Sequence, residues 1–377
     1  MGHIYTPGLK VTEYTKVIKR RILPLKGNVI AKVGDKMKPA DIIARADLPG
    51  NVDQVNVANL LGCDPEDLQY FVRIKEGEQV KEGQMIAKNK GLLGTGLFKT
   101  SINAPFDGSI EAISKITGNI LFRATPIPIV TTAYLEGDIT EIIPEEGAIV
   151  EANASFIQGI FGIGGERFGI IKIITADTKG DLTADMIDES HRGKILVCGR
   201  RVTAGGFRKA MEMGVEAIIA GGIDDRDLRE ILGYDIGVAI TGSEDVVTAL
   251  VTTEGFGDIP MAQKSFDLLK KYEGRAASVN GATQIRAGVI RPEIVISQPA
   301  PPKGFVAPTE KTLGLRIGSQ VRVIRYPHFG KIGEVTALPP ELRVLESESK
   351  ARVLEVVFGD GSTAVVPRAN IETIENF

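Results

Sequence analysis

The segment Val33-Gly-Asp-Lys-Met-Lys-Pro-Ala-Asp-Ile-Ile-Ala44 returns, 43 residues later, as Glu76-Gly-Glu-Gln-Val-Lys-Glu-Gly-Gln-Met-Ile-Ala87. At this offset Gly34 matches Gly77, Asp35 matches Glu78, Lys38 matches Lys81, Ile43 matches Ile86 and Ala44 matches Ala87. Both copies read Gly-acid-x-apolar-Lys-x-x-x-apolar-Ile-Ala, a glycine turn followed by a short strand. A third stretch, Ile102-Asn-Ala-Pro-Phe-Asp-Gly-Ser-Ile110, alternates apolar and polar residues around another glycine. Short strands at regular spacing predict a small, strongly curved β-barrel or sandwich. Apolar runs at 127–130, 133–135, 139–143 and 148–150 extend this β-rich region, which is expected to span residues 1–169.

These residues resemble the biotinyl/lipoyl-like half-motif, Gly-Asp-x-Val-x-x-Gly-x-x-Ile-Ala followed by Ala-Pro-x-x-Gly-x-Ile. In carriers of that kind a lysine a few residues before the Ala-Pro pair receives the cofactor. Here that place is Leu97, flanked by Phe98 and Lys99, and the approach to it is stretched by Gly91-Leu-Leu-Gly-Thr-Gly96. The closer resemblance is to the non-carrier form, the barrel-sandwich hybrid module of the largest bacterial RNA polymerase subunit and of some ion-pumping redox complexes. It implies glycines that close turns and no cofactor.

The 377 residues suffice for two or three domains of roughly 100–200 residues each, with 45 basic against 48 acidic side chains. Glycine is in excess, 43 residues or about 11% where about 7% is usual. The two cysteines, Cys63 and Cys198, and the three histidines, His3, His191 and His328, are scattered, which argues against a disulfide framework or a zinc site. No run approaches the roughly 18 apolar residues of a membrane span. Lys16, Lys19, Arg20, Arg21 and Lys26 interrupt the first apolar segments, so no signal core is expected and the cytoplasm is the expected location. The alternation of Lys16-Val-Ile-Lys-Arg-Arg-Ile22 predicts an edge strand guarded by charge.

Over residues 170–297 the period changes. Apolar runs at 170–175, 194–198, 217–220, 236–240 and 249–252 alternate with amphipathic stretches at 204–213, 225–232 and 261–272. This alternation predicts an α/β domain with a parallel sheet and right-handed crossovers. In an open sheet of this kind ligands bind where the post-strand loops gather, and helix starts there favour anions. Cys198-Gly-Arg-Arg-Val-Thr-Ala-Gly-Gly206 is the sharpest candidate, with Arg200, Arg201 and the Gly205-Gly206 helix start as holders of a phosphate or carboxylate. Glu254, Asn280, Thr283, Gln284 and Arg286 are candidates to line the same site. No nucleotide-binding glycine motif is present, and Glu254 has no His, Cys or Lys at a recognisable spacing, so no catalytic residue is assigned.

Residues 298–312 are a Pro-rich linker, and residues 313–377 hold five short apolar runs, with Asp360-Gly361 a hairpin turn. Gly318-Ser-Gln-Val-Arg-Val323 and Phe329-Gly-Lys-Ile-Gly-Glu-Val335 resemble the KOW motif of small SH3-like barrels found in NusG-type transcription factors and ribosomal proteins. The resemblance implies contact with RNA, ribosome or polymerase. Arg316, Arg322, Arg325 and Lys331, with Tyr326, His328 and Phe329 interleaved and no acid among them, suit phosphate contact and base stacking. Over Lys303 to Phe377, however, ten basic residues face nine acidic ones, a net of +1, so the patch is local and a protein partner is equally served.

The expected architecture is thus mixed β and α/β: an N-terminal barrel-sandwich hybrid, a central parallel-sheet α/β domain and a C-terminal SH3-like (KOW) β-barrel. The leading functional expectation is a non-catalytic binding or scaffold protein docking on a nucleoprotein or other large assembly. The alternatives are an enzyme or sensor for a phosphorylated or carboxylated small molecule at the α/β crevice, and a structural homo-oligomer.

Overall fold

The computed structural model describes residues 9–89, 100–234, 246–283, 290–302, 305, 315–323, 327–328, 331–344 and 350–376. The protein is a mixed β and α/β molecule, with one large mixed sheet and several small ones.

The repeat is structural as well as sequential. Gly34 and Gly77 both adopt positive φ, 91° and 83°, which the missing Cβ permits. Lys32 N–H bonds the Asp35 carboxylate at 2.8 Å, and Lys75 N–H bonds the Glu78 carboxylate at 2.9 Å. The turns lead into the two-residue strands Lys36–Met37 and Gln79–Val80, then into Ile42–Leu48 and Met85–Lys88. Each copy seeds its own core. Ile43 and Ala44 pack with Leu135, Ile139 and Val150, whereas Ile86 and Ala87 pack with Leu68, Ile110, Ile120 and Phe122. The N-terminal region therefore holds two β modules where one barrel was expected.

The long strand Leu9–Ile22 runs antiparallel to Gly147–Gln158. Four of its basic residues, expected on a bare edge, meet carboxylates, Lys16 with Glu151, Lys19 with Glu293, Arg20 with Glu146 and Arg21 with Glu166, as does Lys26 beyond the strand with Glu145.

Four parallel strands, Glu166–Ile173, Lys194–Val197, Ala217–Ile223 and Ala249–Phe256, form the middle of the central sheet. The last three are buried on both faces, which is why they read as continuous apolar runs, whereas Glu166–Ile173 is buried only in part. Ile195, Val197, Ile219 and Val251 pack beneath Phe266 and Leu269 of helix Gln263–Lys271. Leu196, Cys198, Ile218 and Leu250 pack against Phe207 and Ala210 of helix Ala204–Met213 and Leu228 of helix Asp225–Leu232.

The sheet is neither open nor wholly parallel. Antiparallel strands Ala276–Asn280 and Glu293–Ser297 continue it from Glu166–Ile173 to Gly147–Gln158. That strand passes into Phe161–Ile163, which pairs with Ala249–Phe256, so the pairings close on themselves. The expected boundary at residue 169 falls inside the strand Glu166–Ile173, and the two regions share this sheet. The expected run at 236–240 lies outside the described residues.

The C-terminal module orders its strands Ile371–Asn376, Gln320–Val323, Ile332–Ala337, Lys350–Phe358 and Thr363–Pro367 around Val321, Val335, Leu354, Val356 and Ile371. Its last strand also pairs in parallel with Leu9–Val11, which stitches the two ends of the chain together. Among the described residues no helix is long and apolar enough to cross a membrane.

Candidate functional site

Arg200 and Arg201 sit where the sequence places them, at the carboxyl edge of the parallel strands, but their charges are matched within the chain. Arg200 Nε and Nη2 donate to the two oxygens of Asp181 at 2.8 and 2.9 Å, and its Nη1 meets Asp258 at 3.0 Å. Arg201 Nε donates to Asp181 Oδ2 at 3.1 Å. Burial alone would raise the Asp181 pKa, but hydrogen bonds from Arg200 and Arg201 hold it below the usual carboxylate value. Two guanidiniums thus face two carboxylates. The helix start is satisfied too: Thr203 Oγ1 accepts from Gly206 N–H at 3.1 Å, and Asp227 Oδ1 accepts from Ala204 N–H at 3.1 Å. Gly205 is exposed, and Gly206 is buried against the Leu182 carbonyl.

Glu254 shares this edge. The segment after it bonds the arginine loop, Met261 N–H to Gly199 O at 2.6 Å. Its own carboxylate is buried, with Oε1 accepting from Ala262 N–H at 3.0 Å and Oε2 paired with Arg322 of the C-terminal module. Asn280 is elsewhere. It stands opposite Glu166, the first residue of its parallel strand, and its Oδ1 accepts from Ala282 N–H at 2.9 Å to form a local turn. Thr283 is buried and bonds both backbone groups of Gly162. Gln284 and Arg286 lie outside the described residues. The structure therefore joins Arg200, Arg201 and Glu254 at one edge and leaves Asn280 at the other.

The C-terminal basic set is also divided. Arg322, expected to face phosphate, is buried on Glu254. Lys331 pairs with Asp360 at 3.1 Å and lies 5.0 Å from the Phe358 ring centroid, while Arg316 is exposed. Arg325, Tyr326 and Phe329 lie outside the described residues, as do Leu97, Phe98 and Lys99.

A second site, unforeseen in the sequence, lies at the amino edge of the sheet. A cavity of about 370 Å³ opens between Pro39 of the first repeat turn, Glu136, Glu216 just ahead of strand Ala217–Ile223, and the sheet residues Phe168, Ile170 and Val295. Phe168 is 51% exposed although it belongs to a strand of the central sheet. Beside the cavity the chain turns at Tyr134, a bulky residue at φ 64° that is only 3% exposed. Such a conformation costs of order 1–3 kcal/mol and persists only where its surroundings enforce it. Here Tyr134 N–H donates to Pro39 O at 2.9 Å, and Ser278 Oγ, from the cavity wall, donates to the Tyr134 carbonyl.

The Tyr134 ring lies under the Arg21 guanidinium, 5.4 Å from its centroid. Arg21 holds Glu166 through two 2.6 Å bonds, and Lys19 holds Glu293 at 2.7 Å. Burial, then the Glu293 and Glu166 carboxylates, push the Tyr134 hydroxyl pKa well above its usual value. That hydroxyl faces Glu293 without a hydrogen bond of normal geometry. Nothing in the sequence announces the exposure of Phe168 and Ile170 or the Tyr134 bend.

Among the described residues no group of three or more His, Cys, Asp or Glu side chains is placed to hold a metal. No protein-family model and no curated protein matches this chain.

Proposed function

We propose that the chain is a non-catalytic binding or scaffold protein that docks on a large assembly through its β modules. The observation that supports this reading is the pairing at the carboxyl edge. An anion-binding enzyme or sensor needs surplus positive charge there, and Arg200 and Arg201 are balanced by Asp181 and Asp258 while Glu254 is buried on Arg322.

The β modules, by contrast, leave large apolar side chains in solvent. Ile116, 90% exposed, lies in the turn that bonds helix Val57–Leu61 through Ala58 N–H to Gly118 O, and Leu60 is exposed on that helix. Tyr70, 75% exposed, belongs to the same module. The resemblance to barrel-sandwich hybrid and KOW-like modules agrees with docking on a nucleoprotein such as a ribosome or polymerase. The loss of Arg322 to the interior favours protein over nucleic acid as the surface touched.

Cross-linking mass spectrometry on complexes isolated from native cells with the full chain tests this. Cross-links to one defined protein assembly, concentrated on residues 52–124 and 315–376, should survive ribonuclease and vanish in a Tyr70→Asp/Ile116→Asp variant. Saturable binding of a nucleotide or phosphorylated metabolite that Arg200→Ala and Arg201→Ala abolish, with no such cross-links, would replace this reading with the small-molecule one.

A further inference from the structure

We propose that the amino-edge cavity binds a small organic cation, an apolar or aromatic body carrying an ammonium group. This inference does not depend on which assembly the β modules engage. Its volume, about 370 Å³, lies within the range of small-molecule sites, and Phe168, Ile170 and Val295 give it an apolar wall.

The charge of the cavity selects the ligand. Glu136 and Glu216 are the ionisable side chains in its lining, and among the described residues neither has an ion-pair partner. This contrasts with the adjoining cluster, where Glu166 and Glu293 are each matched by Arg21 or Lys19. Among the described residues the lining thus holds two carboxylates and no cationic side chain; Arg275, beside it, donates to the Ser297 carbonyl at 3.1 Å. The lining repels carboxylates and phosphates and attracts a cation, which the exposed Phe168 ring also favours through its negative face.

The site is built rather than incidental. Glycine at 169 lets two strands of the cavity wall approach closely, because a Cβ there would lie 2.7 Å from the Gly193 carbonyl. Glu136 follows the strained Tyr134 bend by two residues, and that bend is fixed by Pro39 and Ser278, both of which line the cavity.

Isothermal titration of the full chain with 4-phenylbutylamine, 4-phenylbutanol and 4-phenylbutanoate tests the proposal. The amine should bind saturably at one site and the alcohol and acid should not. A Glu136→Gln/Glu216→Gln variant with an unchanged melting temperature should weaken the amine about tenfold, the loss expected for two part-exposed charge contacts. Phe168→Ala should weaken it several-fold through the lost ring contact. Absence of saturable amine binding at millimolar concentration would overturn the proposal. So would equal binding of the alcohol or acid, or an amine affinity that both variants leave unchanged.

Discussion

Arg322, on the first described strand of the C-terminal module, and Glu254, near the carboxyl end of a central parallel strand, form a buried ion pair across 68 positions of sequence. Both residues are at most 5% exposed. The other Glu254 oxygen takes the Ala262 N–H just ahead of helix Gln263–Lys271, so the carboxylate ties the module, the sheet and a helix start together. An isolated buried charge is costly, and each of these charges is tolerable only while the other is present. At Glu254 the edge where an open α/β sheet would receive a ligand meets the chain's own C-terminal module.

The arginine loop should make stability depend on acid. Hydrogen bonds from Arg200 and Arg201, working against burial, lower the folded Asp181 pKa. A lowered folded value contributes stability above the unfolded pKa of about 3.9, and that contribution disappears as pH falls through the folded value. Urea unfolding from pH 6 down to pH 2 should therefore show a loss below about pH 4 that is shallower in Asp181→Asn. Parallel profiles for the two proteins would show that the pairing does not stabilise the loop.

The two cysteines should differ in reactivity. Cys198 is fully buried in the sheet, and burial pushes its thiol pKa far up. Cys63 is half-buried, and its pKa is raised by burial and then by Asp67 and Asp64. Iodoacetamide at pH 8 should label Cys63 slowly in the folded protein and Cys198 only after denaturation, as read by peptide mass spectrometry. Comparable native labelling of both would contradict this packing.

Two neighbouring glycines should respond oppositely to alanine. A Cβ at Gly199 would lie 2.0 Å from the Asp177 carbonyl and 2.4 Å from Thr178 Cα, whereas one at Gly205 meets nothing within 4 Å. Gly199→Ala should destabilise by about 1–3 kcal/mol through overpacking. Gly205→Ala, in the first turn of helix Ala204–Met213, should stabilise by up to about 1 kcal/mol through helix propensity. Chemical denaturation of both variants checks the contrast.

Local patterns were legible. The glycine turns of the repeat were readable because turn chemistry is short-range, and so were helices Ala204–Met213 and Asp225–Leu232, whose bounds follow from apolar period and glycine stops at Gly214 and Gly233. What escaped was pairing between distant segments. The strand Phe161–Ile163 is too short to show a period, yet it closes the sheet against Ala249–Phe256. Arg322 looked like a surface cation because its strand pattern gave no sign of Glu254. Tyr134 was invisible for a related reason: its bend is imposed by Pro39 and Ser278, not by its own preference.

A double-mutant cycle on Glu254 and Arg322, read by equilibrium denaturation, tests most directly that the C-terminal module meets the carboxyl edge. Glu254→Ala and Arg322→Ala should each cost about 3–5 kcal/mol by leaving a buried charge unmatched, and the double variant should cost far less than their sum. Single costs below about 1 kcal/mol that add to within about 0.5 kcal/mol would mean that the two residues do not meet, and that the edge is open to ligands after all.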